Sequence, residues 1–272
     1  MALPFRFDVK TIIEDGRTTE RDINAIKTWL KTKSLPPLQE QFIVLFLLSC
    51  LNDLASVKNT IETYFKVKNE APHIFNDCDL ENTDMKKILS VAGVCVISTR
   101  MDNNTAVIIV KLIDTNYRNC DVIYLIRLGI MLLHLSQIYD PPNEAILVID
   151  MKGVGFMHLT CVKMRAISSG LKYLQEGVPL KVRETHILNA NYILYRFIDL
   201  FKIFIKSELL TKVKVHSVEE DFQNFHKYVP SSVLPKEYGG ELASFEDIMK
   251  ETLQELVQNQ PFFKAEERLR KF

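Results

Sequence analysis

The run Asp150-Met151-Lys152-Gly153-Val154-Gly155-Phe156 puts a carboxylate at the end of an apolar stretch and two glycines just after it. Glycines there are how a dinucleotide loop begins, because small residues let backbone N–H groups approach a pyrophosphate. The third glycine of such a loop is missing, since position 158 is His158, so the segment reads as a strand-to-helix turn. Asp150 stands where a strand often ends in a working carboxylate, but no nucleophile accompanies it and it reads as structural. The six histidines (His73, His134, His158, His186, His216, His226) lack metal-ligand spacing. No G-x-S-x-G elbow, phosphate-binding P-loop or H-E-x-x-H pair occurs. His186 reads as a hydrogen-bonded core or pocket histidine rather than a base. These patterns lead to no expected catalytic set, metal or cofactor.

A different chemistry comes from cations beside apolar surface. Lys181, Arg183, Arg196, Lys202, Lys206, Lys212 and Lys214 gather around the most apolar amphipathic segment of the second half. Each such charge near an anionic leaflet is worth roughly 1 kcal/mol, so four suffice for reversible docking on a membrane surface. The formal net charge is zero over 272 residues, which argues against bulk electrostatic binding of nucleic acid. Five scattered cysteines (Cys50, Cys78, Cys95, Cys120, Cys161) never form C-x-x-C and read as reduced, mostly buried thiols. Arg6, Asp8 and Lys10 interrupt the start where a secretory signal needs an apolar core. The longest apolar run, Phe42 to Leu48, falls far short of the roughly 20 residues a membrane span requires. The expectation is a soluble, cytoplasmic, monomeric protein that visits membrane surfaces.

Several elements must position these groups. Residues 18–33 read as a helix capped by Thr18 or Thr19, with Ile23, Ile26, Trp29 and Leu30 on one face and Pro36-Pro37 beyond it. Helices over about 38–50 and 54–69 complete a small helical head, and the polar 76–87 stretch reads as a linker. Then come β-branched runs at 91–98 and 106–113, a helix over 122–138, an apolar strand at 145–151 and a helix over 158–175. A strand over 182–188, a helix from Ala190 to Lys206, a short strand at 213–215 and a helix near 244–258 follow. Strands alternating with helices predict a mainly parallel sheet. Asn189 is expected to cap the 190–206 helix, whose residues Ile193, Leu194, Phe197, Ile198, Phe201, Phe204 and Ile205 form an apolar face. Tyr192, Leu200 and Ile203 lie partly off that face. A helix apolar on more than one side needs two apolar layers, the second being core, partner, membrane or bound lipid.

Pro179-Leu180-Lys181-Val182-Arg183, His186-Ile187-Leu188-Asn189, Leu200-Phe201-Lys202 and Leu234-Pro235-Lys236-Glu237-Tyr238-Gly239-Gly240 together resemble the CRAL-TRIO lipid-binding family, as does Ala145 to Phe156. The resemblance runs over almost the whole chain and is most specific at Leu-Pro-x-Glu-Tyr-Gly-Gly. It implies an α/β fold: a helical amino-terminal domain over 1–76, then a lipid-binding domain over 77–272. That second domain has a mainly parallel, roughly five-stranded sheet flanked by helices and closed by a helical gate. By matching, the lipid-binding positions fall on Tyr124, Leu128, Met131, Ile149, Phe156, Val162, Tyr173, Leu174, Val178, Val182 and Thr185. The gate falls on Ile193, Leu194, Phe197, Ile198 and Phe201. Phosphoinositide or anionic-membrane contact falls on Lys181, Arg183, Lys206 and Lys212, with Glu208 standing where a basic residue is expected. Thr160 and Gly170 replace bulkier apolar residues of some members, which implies a reshaped pocket.

The implied activity is binding and transfer of a small hydrophobic lipid of the tocopherol, retinoid, carotenoid or other isoprenoid class, without enzymatic turnover. The competing readings are a phospholipid or phosphoinositide exchanger or presenter, a protein-interaction module with a vestigial pocket, and a hydrolase, for which no nucleophile is visible.

Overall fold

The structure is a computed structural model that describes residues 3–218 and 222–271. Its first part is helical: α1 (Val9–Glu14), α2 (Glu20–Leu30), α3 (Glu40–Ser49), α4 (Leu54–Glu70), the single turn α5 (Pro72–Phe75) and α6 (Thr83–Val91). Side chains at four of these starts take up N–H groups that a first turn leaves unpaired. Asp8 accepts from the backbone N–H of Lys10, Thr19 from Asp22, Asp53 from Ser56 and Asn82 from Asp84. α3 is apolar on every side and buries each residue from Phe42 to Leu48, the condition under which such a helix is stable in water. Two elements differ from the sequence expectation. α1 is additional, and the 76–87 stretch is linker only in part, because Asn82 caps α6 while Met85 and Ile88 bury its inner face.

Five strands follow: β1 (Ala92–Val96), β2 (Thr105–Leu112), β3 (Glu144–Asp150), β4 (Val182–Ala190) and β5 (Val213–Ser217). They lie side by side in chain order, β1 antiparallel to β2 and the other neighbours parallel. That order has a consequence. A right-handed crossover between adjacent parallel strands, repeated in the same direction, puts every connecting helix on one face of the sheet. α7 (Val122–Ile138) joins β2 to β3, α8 (Met164–Lys172) joins β3 to β4, and α9 (Tyr192–Phe201) with α10 (Ser207–Thr211) joins β4 to β5. The other face is left for the carboxy-terminal part: α11 (Phe222–His226) and the 229–245 loops seal Ile146, Val148 and Leu188 there. α12 (Phe245–Gln258) then covers the β1 edge, where the Val96 N–H donates to Thr252 Oγ1 at 3.0 Å. A last helix, α13 (Gln260–Arg270), was not expected from the sequence.

α13 carries the polar centre of the molecule. Glu266, fully buried, accepts from Lys68 Nζ at 3.1 Å and from the Tyr64 hydroxyl, both on α4, and pairs with Arg270 at 2.8 Å. Lys68 Nζ also reaches His134 Nε2 on α7 at 3.1 Å, and that nitrogen lies 3.3 Å from the Tyr173 hydroxyl. Burial opposes the charge on Glu266, yet Lys68 and Arg270 hold its carboxyl down at about 2. Burial drives Lys68 down to about 8, and burial plus the Lys68 charge drives His134 down to about 3. Around the cluster one apolar core runs without a break from Leu3 through the helical part to Ala265.

Breaking this cluster leaves charges stranded. Glu266→Gln is expected to cost about 3–5 kcal/mol in urea unfolding, because Lys68 and Arg270 lose their counter-charge in a dry site. Between about 3 and the ordinary 6.5 the unfolded chain binds a proton at position 134 that the folded chain refuses, so stability rises with pH there. The melting temperature is therefore expected to fall as pH drops from 6.5 toward 4, and His134→Gln to flatten that slope.

Candidate functional site

The sheet face under the connecting helices is not sealed throughout. Along β3, Ala145, Leu147 and Ile149 point to that face while Ile146, Val148 and Asp150 point to the other. Ala145 is fully buried, Leu147 is half-buried and Ile149 keeps 38% of its surface accessible. Ile149 pairs with Val110 on one side and Ile187 on the other, so water reaches it only from above. The helical layer therefore stands off the sheet at the carboxyl ends of the strands. Val110 and Leu112 on β2, Ile123 and Ile126 on α7, and Leu174 just after α8 are likewise only half-buried, apolar side chains packed on the edge of the core. α8 runs into a π-helical turn, Tyr173–Gly177, a distortion found frequently at functional sites.

α9 lies across one side of the hollow. Ile193 and Leu194 are buried, and Leu194 packs with Met151, Ile187 and Ala190 while Phe197 and Ile198 cover the same group less completely. Phe201 lies against Phe197, the two rings tilted by 31° with centroids 5.7 Å apart. The opposite face of the helix shows Tyr192 and Tyr195 to solvent, and Ile203 just beyond its end is 73% exposed. Two side-chain amides fasten this element. Asn191 caps α9 by accepting from the Ile193 N–H at 2.9 Å, and its Nδ2 donates to the Val154 carbonyl at 3.0 Å. At the far end Gln175 donates to the Phe204 carbonyl at 3.0 Å and accepts from the Lys206 N–H at 2.7 Å.

The cap expected at Asn189 is thus corrected to Asn191, and the helix ends at Phe201 rather than Lys206. Asn189 still belongs to β4 and adopts a left-handed φ of 51°, a conformation asparagine tolerates better than most residues. Its Nδ2 donates to Asp150 Oδ1 at 2.7 Å. The same carboxylate accepts from the Lys152 N–H at 2.9 Å and from the buried Tyr238 hydroxyl at 3.1 Å. Asp150 is a structural anchor at the root of α9. Gly153 has φ +82°, and a Cβ there would sit 2.2 Å from Thr115 Cγ2, so packing alone requires the glycine. His158 Nδ1 accepts from the Gly155 N–H at 3.1 Å and closes that turn.

The residues matched to lipid contact occupy several environments. Ile149 opens into the hollow, with Leu174 and Val162 half-buried and Phe156 60% exposed outside. Leu128, Met131, Val178, Val182 and Thr185 are buried. Tyr173 is buried against the Lys68 cluster, and the Tyr124 hydroxyl donates away to Asp84 at 2.7 Å. Each of the four matched cations has a carboxylate partner. Lys181 and Arg183 share Glu144 at 3.0 and 3.3 Å, Lys206 pairs with Glu176 at 2.8 Å, and Lys212 with Glu208 at 3.1 Å. Burial pushes the Glu144 carboxyl up, but the two cations prevail and hold it below its ordinary value. His186 lies on the opposite sheet face, its Nδ1 3.0 Å from His216 Nε2. Burial, and then His216, lowers it to about 4. Among the described residues, no group of three or more His, Cys, Asp or Glu is arranged to hold a metal. No helix there is by itself long and apolar enough to cross a membrane.

Comparison with known proteins agrees with this architecture. A family model described as the CRAL/TRIO domain matches residues 91–240, and one described as the Pinta-like UBA domain matches residues 15–85. The chain is 24% identical over 257 residues to the human "Alpha-tocopherol transfer protein-like", covering 86% of this chain and 72% of that protein. It is 27% identical over 156 residues to "Phosphatidylinositol transfer protein sfh-5" of Neurospora crassa, covering 52% of this chain and 43% of that one. The crystal structure of Sfh5 superposes with a TM-score of 0.52 at 12% identity, over 94% of this chain and 88% of its own, and so shares the fold.

Asp150→Ala is expected to cost about 2–3 kcal/mol in urea denaturation, because the Tyr238 hydroxyl is left buried without an acceptor. Asp150→Asn, which keeps one acceptor oxygen, should lose less.

Proposed function

The chain belongs to the CRAL/TRIO family, and on that premise we propose that it binds a small hydrophobic lipid in the hollow above Ile149 and exchanges it at membranes. The carrying observation is the accessible Ile149 side chain on a central, doubly paired strand with apolar residues around it. The lipid classes that suit such a lining are tocopherols, retinoids, carotenoids and other isoprenoids. Burying a methylene is worth about 0.8 kcal/mol, so a chain of about 15 carbons resists leaving a bilayer by roughly 12 kcal/mol. A carrier must offer comparable dry surface with few polar groups, and this reading assigns that part to the half-buried apolar side chains of Val110, Leu112, Ile126 and Leu174 together with Ile149.

α9 is the gate in this reading. Moving it off the sheet in water exposes Ile193, Leu194, Phe197, Ile198 and Phe201, a cost on the order of 10 kcal/mol at roughly 1.5–3 kcal/mol each. At a bilayer most of that cost is recovered, since the same face can rest on acyl chains. Tyr192, Tyr195 and Ile203, already outward, with Arg196 and Lys202 beside them, make the first contact with an anionic surface. The protein then works as a cytoplasmic monomer that visits membranes.

A second reading, transfer or presentation of a phospholipid, rests on Lys181 and Arg183 converging on one place. Head-group recognition there requires a phosphate to displace Glu144 from both cations, whereas the hollow itself presents apolar side chains.

The test is transfer of a fluorescent tocopherol or retinoid between liposomes. Phe197→Asp with Phe201→Asp is expected to slow transfer by about tenfold or more, each phenylalanine being worth roughly 1.5–3 kcal/mol against lipid. Transfer at the unaltered rate would sink the gate reading, and failure of the wild-type chain to bind or transfer any lipid would favour a protein-interaction module.

A further inference from the structure

Two of the five cysteines, 41 positions apart in the chain, meet where the turns leading into α7 and α8 come together. Cys120 closes the 3-10 turn Tyr117–Asn119 that leads into α7, and Cys161 ends the 3-10 helix Phe156–Cys161 that leads into α8. The Cys161 thiol and the Cys120 backbone N–H both donate to one oxygen, the Tyr117 carbonyl, each at 3.1 Å. The turn before α7 and the turn before α8 thus meet at that one backbone oxygen. The segments that carry them are fastened on both sides of this point. Asp121, next to Cys120, pairs with Lys163 Nζ at 2.9 Å, and Thr115 packs directly on Gly153. Both cysteines are half-buried rather than sealed, unlike Cys95 in the core. Cys50 and Cys78 sit elsewhere, one against Thr60 Oγ1 at 3.5 Å and the other donating to the Phe75 carbonyl.

We propose that Cys120 and Cys161 form a modification site, a thiol pair that closes to a disulfide on exposure to a glutathione-type disulfide. The chemistry is thiol–disulfide exchange. The Cys161 sulfur, after giving its proton to solvent, attacks one sulfur of the small disulfide, expels one small thiolate and carries the other half as a mixed disulfide. Cys120 then gives up its proton and attacks the Cys161 sulfur, which expels the second small thiolate. Two protein thiols are oxidised, one small disulfide is reduced to two thiols, and the two protons released balance the two thiolates. Burial and the neighbouring Cys161 sulfur push the Cys120 thiol up to about 12, so Cys120 is the slower attacker and suits the second, intramolecular step. The bond ties the entry of α7 to the entry of α8. If the lipid reading above holds, this clamps one wall of the hollow and slows exchange.

The experiment uses the whole chain, incubated with oxidised glutathione and then examined by intact mass and peptide mapping. The expected result is a loss of two hydrogens and a cross-linked peptide joining Cys120 to Cys161, both reversed by dithiothreitol. Cys161→Ser should abolish the cross-link and Cys50→Ser should retain it. Lasting glutathione adducts with no 120–161 cross-link, or cross-links joining other cysteines, would overturn the site. Mapping of the unmodified sequence decides the matter even if Cys161→Ser fails to fold. The clamp is read separately from the bond, as liposome transfer by oxidised against reduced protein. Slower transfer by the oxidised form supports the clamp, and an equal rate with the disulfide fully formed overturns it without touching the site.

Discussion

The order of the strands constrains everything above the sheet. Because β2 to β5 are parallel and follow one another in space as in sequence, right-handed connections leave α7, α8 and α9 on the same side. Three connections must then share one face of a five-stranded sheet. α7 settles onto β1 and β2, where Ala106, Ile108, Leu128 and Met131 close the core. α9 settles near β4 over Met151 and Ile187. Between them α8 cannot also lie flat on β3, since it is held against α7, with Ile126 within 3.2 Å of the place where a Gly170 Cβ would stand. Ile149 is left uncovered as the geometric remainder of that arrangement.

A remainder of this kind persists only if the surrounding layers are held rigidly, and the buried ions do that. Glu266 draws α13 onto α4, and Lys68 carries the connection to His134 on α7 and so to Tyr173 in the π turn. The charges are dry, so each depends on the others. One end of the π turn is thereby fixed to the helical part, while Gln175 two residues on holds the end of the α9 segment. α9 is joined to this rigid part by the Asn191 and Gln175 hydrogen bonds and by the packing of Leu194 on Met151, Ile187 and Ala190.

Much of this was legible in the sequence where one periodicity was strong and uninterrupted. The helix expected over 122–138 coincides with α7 because its apolar residues run through five turns and a carboxylate precedes them. The capped helix after Thr19 and the apolar strand at β3 are equally plain. α13 was invisible for a physical reason: its inner face includes Glu266 and Arg270, which read as solvent-facing charges until Lys68 is known to be opposite. The cap of α9 was set two positions early because Asn189 and Asn191 are alike in type, and only the Asp150 contact distinguishes a bent strand end from a helix start. The hollow could be anticipated from resemblance alone. A gap between layers is set by helix height above the sheet, and hydrophobic pattern says which residues turn inward but not how far apart the layers stand. Buried Leu128 and accessible Ile149 are indistinguishable on that basis.

The central claim, that the space over Ile149 houses an apolar molecule, is met most directly by native mass spectrometry of the chain after exposure to a mixed lipid extract, followed by organic extraction of whatever is bound. The account predicts one isoprenoid-class lipid per chain, displaced when Ile149→Trp fills the space while the chain still melts cooperatively. A folded chain that stays bare in every extract, or one whose bound lipid is unaffected by that substitution, would contradict it.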